Sequence, residues 1–213
     1  MKHCLLVFAA VVALAIGVPA SAQYMWIDVN GDGQCTSADV LTPSVTSIDI
    51  WLSTDHKADG SLATCDTGDG NLTINSYTFV LSSGSGGVGY GAWSDNMNFP
   101  LAAGGPISNS TDYFIGRASA TIQNPGTYKL GSMAVTVTGS PTLSILTHSS
   151  VDGTSQTSFG TACSGQDFNN TYRYGENVDQ IPPGDWQDVC GTASGVPVSE
   201  TTWGKIKKNY SGN

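Results

Sequence analysis

Oxygen-bearing side chains recur at short, regular intervals between residues 28 and 39. In a twelve-residue calcium loop, positions 1, 3 and 5 supply side-chain oxygens, and position 12 supplies a carboxylate. Position 7 contributes a backbone carbonyl, and position 9 contributes a side chain or a water. Gly33 falls at position 6, where the chain turns sharply with a positive φ. The pattern predicts a Ca²⁺ site whose ligands are Asp28, Asn30, Asp32, Gln34, Thr36 and Asp39.

Hard oxygen ligands at this spacing suit Ca²⁺ better than a soft-ligand metal, and the alternative is a surface turn rich in Asp, Asn and Gly. The loop resembles the calcium loop of dockerin domains, which also carry Asp at position 12. It departs from that family at Cys35, where an aliphatic residue is usual, and in lacking a tandem second unit. We expect the following helix to run only through residues 38–41. The resemblance therefore implies calcium ligands and not a cohesin-binding role.

A degenerate second copy of the loop begins at Asp55 and ends at Asp66. Asp59 and Gly60 stand at positions 5 and 6 of this copy. Lys57 occupies position 3, where an ammonium group would repel the ion. An ordinary β-turn is therefore favoured over a second calcium site.

No combination of residues selects a catalytic centre. Glycoside hydrolysis needs two carboxylates that face each other across a sugar, and the acids here are mostly Asp in turn-rich segments. The sequence also lacks a G-x-S-x-G elbow, an HExxH motif and a phosphate-binding P-loop. We expect a protein that is not an enzyme, with a secreted hydrolase as an alternative. Trp51, Trp93 and Trp186 are candidates for a sugar-stacking platform or for structural packing.

The first 22 residues predict export. A basic start at Lys2 precedes an apolar run that ends at Val18, and small residues that signal peptidase accepts follow up to Ala22. The run is short for a membrane span of roughly 20 residues, and no later stretch is apolar enough to cross a bilayer. We predict cleavage after Ala22 and a secreted, extracellular or cell-surface protein.

Charge and cysteine content narrow the range of partners. Removing residues 1–22 takes one lysine and no acid, which leaves 7 Lys/Arg against 17 Asp/Glu and a net charge of −10. Nucleic acid is excluded as a partner, because phosphate binding needs clustered cations. Cys4 is removed with residues 1–22, which leaves four cysteines. An even number of cysteines in an oxidising compartment predicts two disulfides, and three connectivities are possible. Those cysteines are Cys35, Cys65, Cys163 and Cys190.

Short segments of alternating apolar and polar residues predict β-strands. They begin at Ile48, Tyr77, Tyr113, Tyr128 and Leu143. Turn signals separate them, among them residues 104–106 and 124–126. The pattern predicts an antiparallel β-sandwich over residues 23–195, in which residues 151–195 form long loops. Residues 196–213 form a basic tail with the potential for a short helix.

The segments from Ile48 to Leu52, 74–80 and 126–137 are similar to cohesin-type and related bacterial immunoglobulin-like domains, which are jelly-roll or Greek-key sandwiches. That resemblance implies a non-catalytic module of a secreted bacterial protein. We therefore predict a calcium-binding β-sandwich with a structural, adhesive or recognition role. The alternative is a carbohydrate-binding or cohesin/dockerin-type module that meets a polysaccharide or another extracellular protein.

Overall fold

The computed structural model describes residues 24–56, 60, 62, 73–83, 87–146, 151–152, 154–162, 171–173 and 192–195. These residues form twelve β-strands, and among them no helix is long and apolar enough to cross a membrane. The strands are β1 (Tyr24–Asp28), β2 (Val40–Leu41), β3 (Ser47–Ser53), β4 (Thr73–Ser82), β5 (Val88–Asp95), β6 (Leu101–Ser108), β7 (Asp112–Gln123), β8 (Thr127–Val137), β9 (Leu143–Leu146), β10 (Ser158–Ala162), β11 (Thr171–Arg173) and β12 (Thr192–Gly195).

The described strands pair into two sheets. Sheet one has the order β1-β3-β8-β5, and each of its pairs is antiparallel. Sheet two has the order β11-β10-β4-β9-β12-β2, with β7 also pairing with β4 and β6 pairing with β7. Within sheet two only the short pairing of β12 with β2 is parallel among the described strands. The all-β, antiparallel fold class predicted from the sequence is confirmed.

The two sheets bury their facing side chains in one hydrophobic core. Ile48, Ile50 and Leu52 on β3 are almost fully buried, as their alternation with polar residues predicts. Tyr77 and Phe79 on β4 come from the opposite sheet and lie in the same cluster. Further members of the core include Met25, Ile27, Ile74, Leu81, Phe99, Ile115, Leu130, Met133, Leu143 and Phe159. Because β3 turns its odd-numbered residues away from this core, Asp49 and Trp51 lie on the outer face of sheet one.

Three sequence predictions about local structure are wrong. Residues 40–41 form strand β2 and not the end of a helix, because Val40 and Leu41 pair with β12 and Leu41 is buried in the core. Residues 104–106, predicted as a turn, lie inside the edge strand β6 with a cis peptide bond before Pro106. Residues 151–195, predicted as loops, contain β10, β11 and β12, which extend sheet two by backbone pairing.

Several predictions fall on parts of the chain outside the described residues. These are the signal peptide at residues 1–22, the basic tail at residues 196–213, and most of the second loop between Asp55 and Asp66. Trp186 also lies outside the described residues. Export, the tail helix and the second calcium loop therefore stay predictions.

Candidate metal centre

The predicted calcium loop joins the two sheets at one side of the sandwich. Strand β1, an outermost strand of sheet one, ends at Asp28, the first residue of the loop. Strand β2, an outermost strand of sheet two, begins at Val40, directly after Asp39. The loop thus connects β1 directly to β2. Its first and last predicted ligands, Asp28 and Asp39, lie at its two ends.

Asp28 at position 1 is 1% exposed, and its carboxylate is held by three donors. The backbone N–H of Gly31 donates to Oδ1 at 2.7 Å, and that of Gly33 donates to Oδ2 at 2.8 Å. The indole N–H of Trp51 donates to Oδ2 at 3.2 Å. A carboxylate has about four lone-pair sites. Oδ1, which accepts from one donor among the described residues, retains the capacity to bind an ion.

Asp39 at position 12 is 7% exposed and reaches back to the start of the loop. Its Oδ1 accepts the backbone N–H of Val29 at 2.8 Å, and its Oδ2 accepts that of Thr36 at 2.9 Å. Because Val29 directly follows β1, this carboxylate connects the residue after β1 with the residue before β2. The two ends of the loop are therefore drawn together by a side chain that the sequence pattern assigns to the ion.

The middle positions of the loop carry exposed side chains that bind its own backbone. Asn30 Oδ1 accepts the N–H of Asp32 at 2.9 Å, and Asp32 Oδ1 accepts the N–H of Gln34 at 2.7 Å. The amide of Asn30 also donates to Asp32 Oδ2 at 3.0 Å. Thr36 Oγ1 accepts the N–H of Ala38 at 3.2 Å. The chain is thus folded around the side chains of positions 1, 3, 5, 9 and 12.

Two glycines allow this tight path. Gly31 has a φ of 78° and Gly33 has a φ of 75°, both in the left-handed region that side chains with a Cβ rarely adopt. Gly33 stands at position 6, where the calcium-loop pattern requires such a turn. A Cβ at Gly33 would also lie 3.2 Å from the indole ring of Trp51, whereas one at Gly31 would meet open space.

Charge is distributed unevenly on the outer face of sheet one. Asp28 on β1 lies directly opposite Asp49 on β3. Asp49 has a cationic partner, because the ammonium of Lys129 lies 2.5 Å from its Oδ2, and Ser132 donates to its Oδ1 at 2.7 Å. Asp28 and Asp39 take part in none of the ion pairs found among the described residues. Asp28 therefore has hydrogen-bond donors but no cationic partner among the described residues, whereas the charge of Asp49 is compensated.

The structure does not gather the predicted carboxylates of Asp28, Asp32 and Asp39 into a preformed metal cluster. In the part of the chain that the structure describes, no three His, Cys, Asp or Glu side chains are gathered to hold a metal ion. The predicted set is mixed: beyond its carboxylates it uses neutral oxygens of Asn30 and Thr36 and the backbone carbonyl of Gln34. Ca²⁺ accepts six to eight such oxygens in flexible arrangements.

The structure brings in Trp51, a residue that the sequence motif does not contain. Its ring stacks on that of Trp26, with centroids 5.9 Å apart and an interplanar angle of 9°. Trp93, the other described candidate for a sugar platform, packs edge-on against Phe79 with centroids 5.3 Å apart. Both candidates thus use their rings in packing. The role of Trp51 at the loop depends on strand register, a signal that spacing along the sequence does not carry.

Two neighbouring predictions touch the described residues only in part. Asp55, position 1 of the second loop, accepts the hydroxyl of Ser53 at 3.1 Å and lies 3.0 Å from the ring nitrogen of His56. Cys35, inside the first loop, is disulfide-bonded. Cys65, Cys163 and Cys190 are outside the described residues, so the pairing of the cysteines stays a prediction.

Comparison of the chain with protein-family models, with curated proteins and with solved structures finds no match. The dockerin and cohesin resemblances therefore stay predictions from the sequence. What can be argued about function comes from the loop itself: two buried carboxylates, a backbone folded around them, and a position between two sheets.

Proposed function

We propose that this chain is a secreted, non-catalytic β-sandwich module that binds one Ca²⁺ in the loop from Asp28 to Asp39. The ion stabilises the sandwich by joining strand β1 of sheet one to strand β2 of sheet two. One observation carries the proposal: Asp28 and Asp39 are buried at opposite ends of this loop and take part in none of the ion pairs among the described residues.

Burial without a cationic partner is costly for a carboxylate, and hydrogen bonds from backbone N–H groups offset only part of that cost. A divalent cation would compensate the remaining charge. Asp28, Asn30, Asp32 and Asp39 would hold it through side-chain oxygens, Gln34 through its backbone carbonyl, and Thr36 directly or through a water. When bound, the ion supplies electrostatic cross-linking and no reaction.

Two further described carboxylates, Asp49 and Asp95, lie in ion pairs within the sandwich, which supports a structural role for them. Asp49 is paired with Lys129 on the neighbouring strand. Asp95 on sheet one is paired with Arg117 on sheet two, with Oδ1 and Nε 2.5 Å apart. These pairs stabilise contacts between strands and between sheets. We place the role of the module in extracellular structure, adhesion or recognition, to which the net negative charge of the chain is suited.

Thermal unfolding of residues 23–213 tests the proposal. Saturating Ca²⁺ should raise the melting temperature relative to a chelator, because ligand that binds only the folded state adds about 2.7 kcal/mol at a hundredfold excess over the dissociation constant. Asp32→Ala should abolish the calcium-dependent rise, since Asp32 supplies one of the predicted ligands and is exposed.

The matched control is Asp152→Ala, which removes an exposed aspartate that also accepts backbone N–H groups, from Thr154 and Ser155. This variant should keep the full calcium-dependent rise. Equal melting temperatures of the unmodified chain in Ca²⁺ and in chelator would contradict the proposal.

A further inference from the structure

Trp51 occupies a central position beside the loop. It lies on the outer face of β3, directly opposite Trp26 on β1 and Lys129 on β8. Trp26 is 3% exposed although it belongs to the outer face, so the stacked pair is largely withdrawn from solvent. The six-membered ring of Trp51 packs on Gly33, where an added Cβ would be only 3.2 Å away. The indole of Trp51 therefore packs between sheet one and the turn of the loop at Gly33.

Trp51 also forms a hydrogen bond with Asp28, the first predicted ligand. Its Nε1–H donates to Oδ2 of Asp28 at 3.2 Å, the oxygen that also accepts the N–H of Gly33. Among the described residues this is the one side-chain donor to Asp28, because the other two donors are backbone groups of the loop. A hydrogen bond to a charged acceptor is stronger than one between neutral groups. Two donors on Oδ2 leave Oδ1 as the oxygen with spare capacity.

We propose that Trp51 is a positioning residue of the calcium site, an inference that rests on the proposed function above. The indole N–H holds the Asp28 carboxylate with Oδ1 available to the ion, and the ring keeps the turn at Gly33 closed before the ion arrives. Without the indole, binding must order the Asp28 side chain and the turn, and that ordering lowers the affinity. Trp51 thus couples occupancy of the loop to the register of β1 and β3.

Titration of residues 23–213 with Ca²⁺ and with Tb³⁺ tests this role in the unmodified chain, in Trp51→Phe and in the control Trp93→Phe. Trp51→Phe keeps an aromatic ring but removes the N–H, and should weaken Ca²⁺ binding about tenfold, the effect of losing one charge-assisted hydrogen bond. Trp93→Phe should leave the affinity unchanged. The Tb³⁺ titration, followed by tryptophan-sensitised emission, should show the same loss of affinity in Trp51→Phe and none in Trp93→Phe, and Trp26, stacked on Trp51, remains as a sensitiser in both variants.

The outcomes separate the two claims. If Trp51→Phe lowers the melting temperature in chelator but leaves the Ca²⁺ and Tb³⁺ affinities unchanged, Trp51 is only a packing residue and the inference is overturned. If the unmodified chain binds neither ion, the proposed function itself fails. Trp51→Tyr, whose side chain is longer than that of phenylalanine by one hydroxyl and also lacks the indole N–H, replaces the phenylalanine variant if that variant does not fold.

Discussion

Gly31 and Gly33 differ in surroundings although both have a positive φ. Any other residue at either position would strain the backbone, because its Cβ clashes at a positive φ. This strain lowers the free energy of unfolding by about 1–2 kcal/mol. Only Gly33 also touches Trp51, at 3.2 Å from a built Cβ, and it donates to the same oxygen of Asp28 as the indole does. At the scale of single residues, the turn and the tryptophan therefore restrict each other.

Replacing Gly33 with alanine should cost more free energy of unfolding than replacing Gly31. Gly33→Ala adds displacement of Trp51 to the backbone strain that both variants share, whereas a Cβ at Gly31 meets nothing within 4 Å. Urea denaturation of both variants measures the difference. Gly139→Ala, with a φ of 71° and open space around it, serves as the control for backbone strain alone. Equal losses in all three variants would show that the contact with Trp51 has no energetic weight.

At the scale of strands, the two sheets are joined by polar contacts as well as by the core. The hydroxyl of Tyr77 on β4 donates to the backbone carbonyl of Leu130 on β8 at 3.1 Å, and this hydrogen bond is buried. Desolvation by burial, and next the charge of Asp95, raise the pKa of Tyr77, so the hydroxyl stays protonated and continues to donate into the alkaline range. The contact therefore helps to set how the two sheets align.

Tyr77→Phe should lower the free energy of unfolding by about 0.5–1.5 kcal/mol, because it removes one buried hydrogen bond to the carbonyl of Leu130, which keeps the backbone N–H of Asn96 as a donor. Tyr128→Phe is the matched control: its hydroxyl donates to the carbonyl of Asn124 at an exposed site, where water can replace it. Chemical denaturation should show a small loss for this control. A loss from Tyr77→Phe no larger than that of the control would contradict the role assigned to the buried hydrogen bond.

Strands with an alternating apolar face could be predicted from the sequence, and strands that depend on pairing could not. The residues of β3 alternate because one face of that strand lies in the core, whereas β4 is buried on both faces from Phe79 to Ser82. β6 is exposed along nearly its whole length and rich in Gly and Ala, so it carries no such alternation. β2 and β12 are too short to show a period, and they exist because they pair with each other across a long stretch of sequence.

The same distinction applies to the site. The residues from Asp28 to Asp39 are close in sequence, so their spacing could select the loop as a candidate site, but not the hydrogen bonds from its backbone N–H groups to Asp28, Asp32 and Asp39. Trp51 follows Asp28 by 23 residues, and its contact with that carboxylate depends on the register of β1 and β3. The ion pair between Asp49 and Lys129 joins residues that are 80 apart in the sequence, and it depends on the pairing of β3 with β8. Contacts of this kind become visible only once the sheet is assembled.

At the scale of the whole molecule, the loop from Asp28 to Asp39 connects an outermost strand of sheet one to an outermost strand of sheet two. Residues 23–213 carry 7 Lys/Arg against 17 Asp/Glu, a net charge of −10, which favours binding of divalent cations and opposes close packing of these acids. A calcium ion in the loop would place positive charge between β1 and β2, where Asp28 and Asp39 are buried. In our proposal, calcium is therefore part of the folded module and not a surface ligand.

Calorimetric titration of Ca²⁺ into metal-free residues 23–213 tests this claim most directly. We expect saturable Ca²⁺ binding at the loop with a dissociation constant at or below about 1 mM, the range of extracellular calcium modules. We also expect Asp32→Ala to lose that binding. Absence of saturable binding in the unmodified chain, or binding of equal strength in Asp32→Ala, would contradict this claim.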